Sequence, residues 1–274
     1  MNKPFQFPRR IQSTKQTPEQ NLTPGTAYFV RYIKARIENN KNFLAVITGP
    51  TGSGKSYAGL SLMYALTGEL DIDNVCLNAE DILVRINDKT KYLKPGDVLL
   101  WDEAGVDMNS KQWASVANRV INIVLQTFRH RNIIIIMTLP YFSFLDSDAR
   151  KLTHCVMETQ GIDRKNKTSY LKPLLIQVNQ HSGKAYTKYL RVKRNTGSVV
   201  PVKAIAVKIP SKEFLVDYEK KKTRFTEELN IDALAKLRAW KEKQVTKKTK
   251  EIKKKGTDED DETEIPNKEK GNEQ

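Results

Sequence analysis

The chain has 274 residues, 39% of them hydrophobic and 29% charged, and 47 Lys and Arg against 32 Asp and Glu give it a formal net charge of +15. That length holds one substantial core with an appendage. No apolar stretch approaches the ~18 residues of a membrane span, and no apolar leader follows Met1. Cys76 and Cys155 sit in apolar runs, and His130, His154 and His181 are far apart. This excludes a disulfide framework and a metal cluster and points to a reducing, cytoplasmic setting.

Residues 1–24 are polar and proline-spaced (Pro4, Pro8, Pro18, Pro24) and read as a flexible arm. Thr26 is placed to cap a first helix with Tyr28, Ile33 and Ile37 on its apolar face. Strand and helix signals then alternate, as in a parallel α/β sheet. Strands are predicted near 43–48, 74–77, 97–101, 132–138 and 154–159. Helices are predicted near 56–67, 79–92, 110–130 and 145–152. Two further strand-like runs, Tyr170–Gln180 and Ala185–Arg194, flank His181-Ser182-Gly183-Lys184 and predict a β-hairpin. A strand over 203–209 follows, then charged amphipathic helices over 211–218 and 222–243. From 247 a lysine block and an acidic block with few apolar residues predict a disordered tail. The division expected is an arm (1–24), a core (25–160), a basic hairpin with a helical extension (161–246) and the tail (247–274).

Chemistry concentrates in the core. Gly49-Pro50-Thr51-Gly52-Ser53-Gly54-Lys55-Ser56 is a complete G-x-x-x-x-G-K-S phosphate loop, preceded by a strand signal and followed by a helix signal. Its glycines let backbone N–H groups turn toward phosphates, Lys55 can reach the β- and γ-phosphates, and the Ser56 hydroxyl is a ligand for magnesium. The expected ligands are therefore ATP and Mg2+. Downstream, Val98-Leu99-Leu100-Trp101 ends in Asp102-Glu103. A carboxylate there faces the crevice where open α/β sheets bind ligands. Asp102 is read as the second metal residue, and Glu103 as the base for the attacking water. A predicted helix ends at Arg129-His130-Arg131 and runs directly into a strand ending at Thr138. Arg129, ahead of Arg131, is the candidate finger that would serve a neighbouring subunit's γ-phosphate. Thr138 is the candidate γ-phosphate sensor.

The strand inserted between the two motifs resembles the ASCE division of P-loop ATPases, which implies a RecA-like sheet of order 5-1-4-3-2. Gly49–Ser56, Asp102-Glu103, Arg129 and Met137-Thr138-Leu139-Pro140 together resemble the FtsK–HerA superfamily. That group includes viral genome-packaging ATPases, coupling proteins and zonula-occludens-toxin-like ATPases. The resemblance covers residues 43–160; where the family has Thr-Gln this chain has Thr138-Leu139. It implies an ATP-driven DNA translocase or packaging motor acting as an oligomeric, hexameric ring. The alternatives are an AAA+ helicase loader or nucleoprotein remodeller, and a nucleotide-gated structural or secretion protein.

The charge map locates the DNA partner. Residues 43–160 hold 11 cations and 13 anions, whereas 161–210 hold 11 against one. A single-sign surface of that kind tracks phosphates without reading sequence. Alternation along one strand would put Lys188 and Arg194 on one face and Tyr189, Arg191 and Lys193 on the other.

Overall fold

The computed structural model describes residues 22–104, 119, 122–124, 131–194 and 196–258. The chain divides into two units, residues 1–219 and 220–274. In the first, helix α1 (Pro24–Glu38) precedes an alternation of strands and helices. These are β1 (Phe43–Thr48), α2 (Lys55–Thr67), β2 (Val75–Cys76), α3 (Ala79–Asn87), β3 (Val98–Trp101), β4 (Ile134–Leu139), α4 (Ser147–Leu152) and β5 (Cys155–Asp163). Strands β6 (Thr168–Val178), β7 (Ala185–Lys188), β8 (Leu190–Lys193), β9 (Val199–Val202) and β10 (Ile205–Lys208) follow, then helix α5 (Lys212–Asp258). The helix expected over 110–130 lies outside the described residues except at 119 and 122–124, which are helical.

The main sheet runs β10-β6-β5-β1-β4-β3-β2, with β7 added to β6. Its five core strands are parallel and take the expected order 5-1-4-3-2. Every residue of β1, β3 and β4 is buried, because helices cover both faces. The two faces divide with period two. Phe43, Ala45, Ile47, Val98, Leu100, Ile134 and Ile136 pack with α1 and α2. Leu44, Val46, Leu99, Trp101, Ile135, Met137 and Leu139 pack with α3 and α4. Burying each large side chain is worth about 1.5–3 kcal/mol, so register is firmly set: a one-residue slip would exchange the faces. Asp102 continues the even-numbered face of β3, and Thr138 belongs to the even face of β4. Both therefore turn toward α2.

The helix cap lies three residues earlier than expected. Pro24 opens α1, and Thr23, not Thr26, accepts the cap hydrogen bond. The Thr26 hydroxyl instead donates to Ala206 O at 2.8 Å and accepts from Ala206 N at 3.0 Å, tying α1 to β10.

The basic hairpin departs from its expected form. Residues 185–194 make two short strands in different sheets, not one. The cause is burial: Leu190 and Val192 enter the hydrophobic core, while Ala185, Tyr186 and Thr187 stay exposed on the rim of β6. The face assignment made for one continuous strand fails with it. Lys188 lies in β7 and donates to Gln177 Oε1 at 2.7 Å, whereas Arg191 and Lys193 project to solvent from β8, with Arg194 just beyond.

The second unit consists, where described, of α5 from Lys220 onward. It carries ion pairs one turn apart, Arg224–Glu228 at 3.7 Å and Asp232–Lys236 at 3.2 Å. One helix replaces the two expected, and it extends to Asp258, past the tail boundary at 247. Each added Lys or Glu contributes a backbone hydrogen bond at low intrinsic cost, so an established helix propagates through a polar run.

Candidate active site

The phosphate loop leaves β1 at Thr48 and enters α2 at Lys55. Gly54 is the N-cap at φ +82°, a left-handed conformation that favours glycine, and no side chain caps the helix there. The first N–H groups of α2 thus face the loop's concavity, where the helix dipole favours an anion. Space is equally restrictive. A Cβ on Gly49 would lie 2.0 Å from Thr159 Oγ1 and 2.6 Å from Ser53 Oγ, and one on Gly54 would lie 2.2 Å from Ile162 Cδ1. The Thr159 and Ile162 contacts come from the end of β5, where a bulge between Thr159 and Gly161 turns the strand over the loop. Lys55 Nζ donates to Gly49 O and Pro50 O, each at 2.9 Å.

The acidic pair sits across the same crevice. Asp102 is fully buried, and its Oδ1 accepts from the Thr138 hydroxyl at 2.7 Å. That hydroxyl also accepts from Glu103 N at 2.9 Å. Glu103 itself has φ +54°, so the backbone turns sharply between the two carboxylates and separates their directions. A strand, a glycine loop and a helix N-terminus thus face a carboxylate on β3, with β4 between β1 and β3. The fold is that of the P-loop nucleoside triphosphatases.

Solved structures that the chain resembles include three that are each under 20% identical to it. The N-terminal domain of zonular occludens toxin from Neisseria meningitidis is 16% identical, with a TM-score of 0.31 over 55% of this chain and 95% of that one. A DNA polymerase III gamma-subunit-related protein from Thermotoga maritima is 12% identical, with a TM-score of 0.36 over 50% and 47%. A KaiC-like protein from Pyrococcus horikoshii is 12% identical, with a TM-score of 0.33 over 59% and 91%. No protein-family model and no curated protein matches the chain.

The residues fit a magnesium-bound nucleotide. The Ser53 and Thr159 hydroxyl oxygens are buried without a hydrogen-bond partner, beside a glycine floor that a Cβ would fill. Ser56 and Asp102 supply the hard oxygen donors that magnesium prefers.

Helix α5 reaches the same place. Within the first unit its opening turns pack Phe214 and Leu215 against the core and bury Tyr218, which is 1% exposed. The Tyr218 hydroxyl donates to Asp102 Oδ2 at 2.6 Å and is also hydrogen-bonded to the Ser56 side chain. Burial first, then the Asp102 charge, pushes the Tyr218 hydroxyl well above its ordinary range, so it remains a donor. One turn of α2 is clamped as well. Tyr57 donates to Glu219 Oε1 at 2.7 Å and stacks edge-on against Tyr218, with ring centroids 6.4 Å apart. The hydrogen bond to Glu219, with burial second, pushes the Tyr57 hydroxyl up to about 12.

The remaining expected residues divide. Gly49, Pro50, Thr51, Gly52, Ser53, Gly54, Lys55 and Ser56 form one loop, and Asp102, Glu103 and Thr138 form one hydrogen-bonded cluster. Thr138 uses its only proton on Asp102. Arg129 lies outside the described residues. Arg131 is engaged elsewhere: it donates to Ile86 O at the end of α3 and stands 5.1 Å over the Tyr92 ring. That is a packing role on the α3 face. His154 also packs, stacking on Phe43 at 5.8 Å while Nδ1 accepts from Leu44 N at 3.0 Å. Sequence reasoning missed Thr159, Ile162, Tyr57 and Tyr218. Gly161, an isolated glycine in a strand run, was the available sign of the bulge. Nothing in the 211–218 pattern set Tyr218 apart from an ordinary core residue.

Proposed function

We propose that the chain hydrolyses ATP as a subunit of an oligomeric DNA translocase or genome-packaging motor of the FtsK–HerA type, working as a hexameric ring. The observation that carries the catalytic half is the Asp102–Thr138–Glu103 cluster facing the glycine loop. It fixes one carboxylate in the interior and turns the next away from it. Bound Mg·ATP supplies the γ-phosphoryl group and a cation that offsets its charge. Lys55 exchanges the Gly49 and Pro50 carbonyls for phosphate oxygens. Ser56 and Asp102 would hold the metal, and N–H groups of the loop and of the first turn of α2 would orient the phosphates. Thr138 keeps Asp102 and the Glu103 backbone in place beside the γ-phosphate. The Glu103 carboxylate orients the attacking water and takes its proton. Arg129 of an adjacent subunit completes the charge stabilisation.

The DNA half rests on charge. Arg191, Lys193 and Arg194 are exposed and together in a segment with one acid in fifty residues, which supports sequence-independent backbone contact. The test is ATP turnover by the full chain against duplexes of increasing length at equal nucleotide concentration. A translocase is stimulated more strongly by long duplex than by short. Indifference to DNA of every length would overturn the motor reading, and stimulation only with a replicative helicase would replace it with the loader.

A further inference from the structure

Tyr218 is a buried polar residue that the proposed cycle does not use. Its hydroxyl bridges the two side chains expected to hold magnesium, 2.6 Å from Asp102 Oδ2 and hydrogen-bonded to Ser56. A cation ligated by the Ser56 hydroxyl, with Asp102 reached directly or through water, needs the volume between those oxygens. A phenol oxygen bonded to both takes that volume. It is also the wrong kind of partner for a cation, because its one proton is directed at the Asp102 oxygen that the cation would need. Both Asp102 oxygens already accept a buried hydrogen bond, Oδ1 from Thr138 and Oδ2 from Tyr218. The ring is held firmly, edge-on to Tyr57, with Phe214 and Leu215 one turn earlier packed on the core and Glu219 anchoring Tyr57.

We propose that Tyr218 is a built-in gate on the metal site: its hydroxyl must leave Ser56 and Asp102 before a magnesium-bound nucleotide is seated, so metal entry releases the first turns of α5. The gate rests on the reading that Ser56 and Asp102 hold the metal. Nucleotide without metal needs the loop N–H groups and Lys55 but not the Ser56 and Asp102 side chains that Tyr218 holds. Magnesium must compete with a buried hydrogen bond to a carboxylate, so the chain distinguishes metal-bound from metal-free nucleotide by the position of Tyr218.

The test is calorimetric binding of ADP to the full chain in excess EDTA and in excess magnesium, for wild type, Tyr218→Phe and Ser56→Ala. Tyr218→Phe keeps the ring and removes only the hydroxyl. The gain in affinity on adding magnesium should be larger in Tyr218→Phe than in wild type by about tenfold or more, the scale of one hydrogen bond to a charged group. Hydrogen exchange on the wild type needs no variant: the segment 212–219 should lose protection with Mg·ADP and keep it with ADP in EDTA. A magnesium gain that Ser56→Ala abolishes, but that is equal in wild type and Tyr218→Phe with 212–219 protection unchanged, would overturn the gate and leave the metal site standing. No magnesium gain in wild type or Tyr218→Phe would overturn the metal site and the gate with it.

Discussion

Replacing Thr138 by valine removes a hydroxyl while keeping the shape of the side chain, and the structure fixes what is lost. That hydroxyl donates to a fully buried carboxylate at 2.7 Å and accepts from Glu103 N at 2.9 Å. A hydrogen bond to a charged group contributes about 1.5–3 kcal/mol and a neutral amide bond about 0.5–1.5 kcal/mol. Valine adds no cavity, so the expected loss is about 2–4 kcal/mol in urea unfolding without nucleotide. Thr138→Ser supplies the control. It keeps both hydrogen bonds and loses one methyl, about 0.8 kcal/mol. The valine protein should therefore unfold at clearly lower urea than the serine protein, with an unchanged dependence on denaturant. Its ATP turnover should also fall, because Glu103 loses the backbone bond that holds its left-handed conformation. A valine variant as stable as the serine variant would show that the Asp102–Thr138–Glu103 cluster does not hold this corner together.

Gly54→Ala should destabilise the loop and weaken nucleotide binding at least tenfold by titration, since its φ of +82° and the Ile162 Cδ1 contact both oppose a Cβ. Adding Ile162→Ala should recover only the steric part; full recovery would show that backbone strain is immaterial. Neutralising Arg191, Lys193 and Arg194 together should weaken duplex binding and reduce the slope of log affinity against log salt by about 2–3, at about 0.9 per phosphate contact. Lys188→Gln, whose amine is bonded to Gln177, should change that slope little. An unaltered slope in the triple variant would remove β8 from the DNA surface. Tyr57 titrates higher in the folded chain than its ordinary 10.0, at about 12, because Glu219 accepts its proton. The stability it contributes is therefore complete below pH 10 and is lost as pH rises toward 12. The gap in unfolding midpoint between wild type and Tyr57→Phe should be constant from about pH 7 to about pH 10 and close above it. A gap independent of pH would contradict the Tyr57–Glu219 assignment.

The sheet was legible in the sequence because two-sided burial writes itself as unbroken apolar runs. Phe43–Thr48 and the strand from Ile134 are such runs, and the 5-1-4-3-2 order was implied by the resemblance of the inserted strand to the ASCE division. The loop and the Asp102-Glu103 pair were legible for a related reason: local backbone chemistry demands those residue types in that order. What escaped was non-local. Tyr218 lies 116 residues from Asp102 in the chain, and an aromatic residue on an amphipathic helix carries no mark of the carboxylate it will meet. The break at Tyr189 was hidden likewise, since burial of Leu190 and Val192 depends on a core that only folding assembles. Arg131 showed the converse. Its position before a strand fitted a shared site, yet the Ile86 carbonyl and the Tyr92 ring, which only folding brings near, engage it instead.

The central claim is that Glu103 converts a bound nucleotide into a hydrolysed one. Comparing wild type with Glu103→Gln, in ADP affinity with magnesium and in phosphate release from ATP, tests it most directly. Affinity should stay within about twofold of wild type, and turnover should fall by at least about 10². Turnover at the wild-type rate in Glu103→Gln, with binding intact, would contradict it.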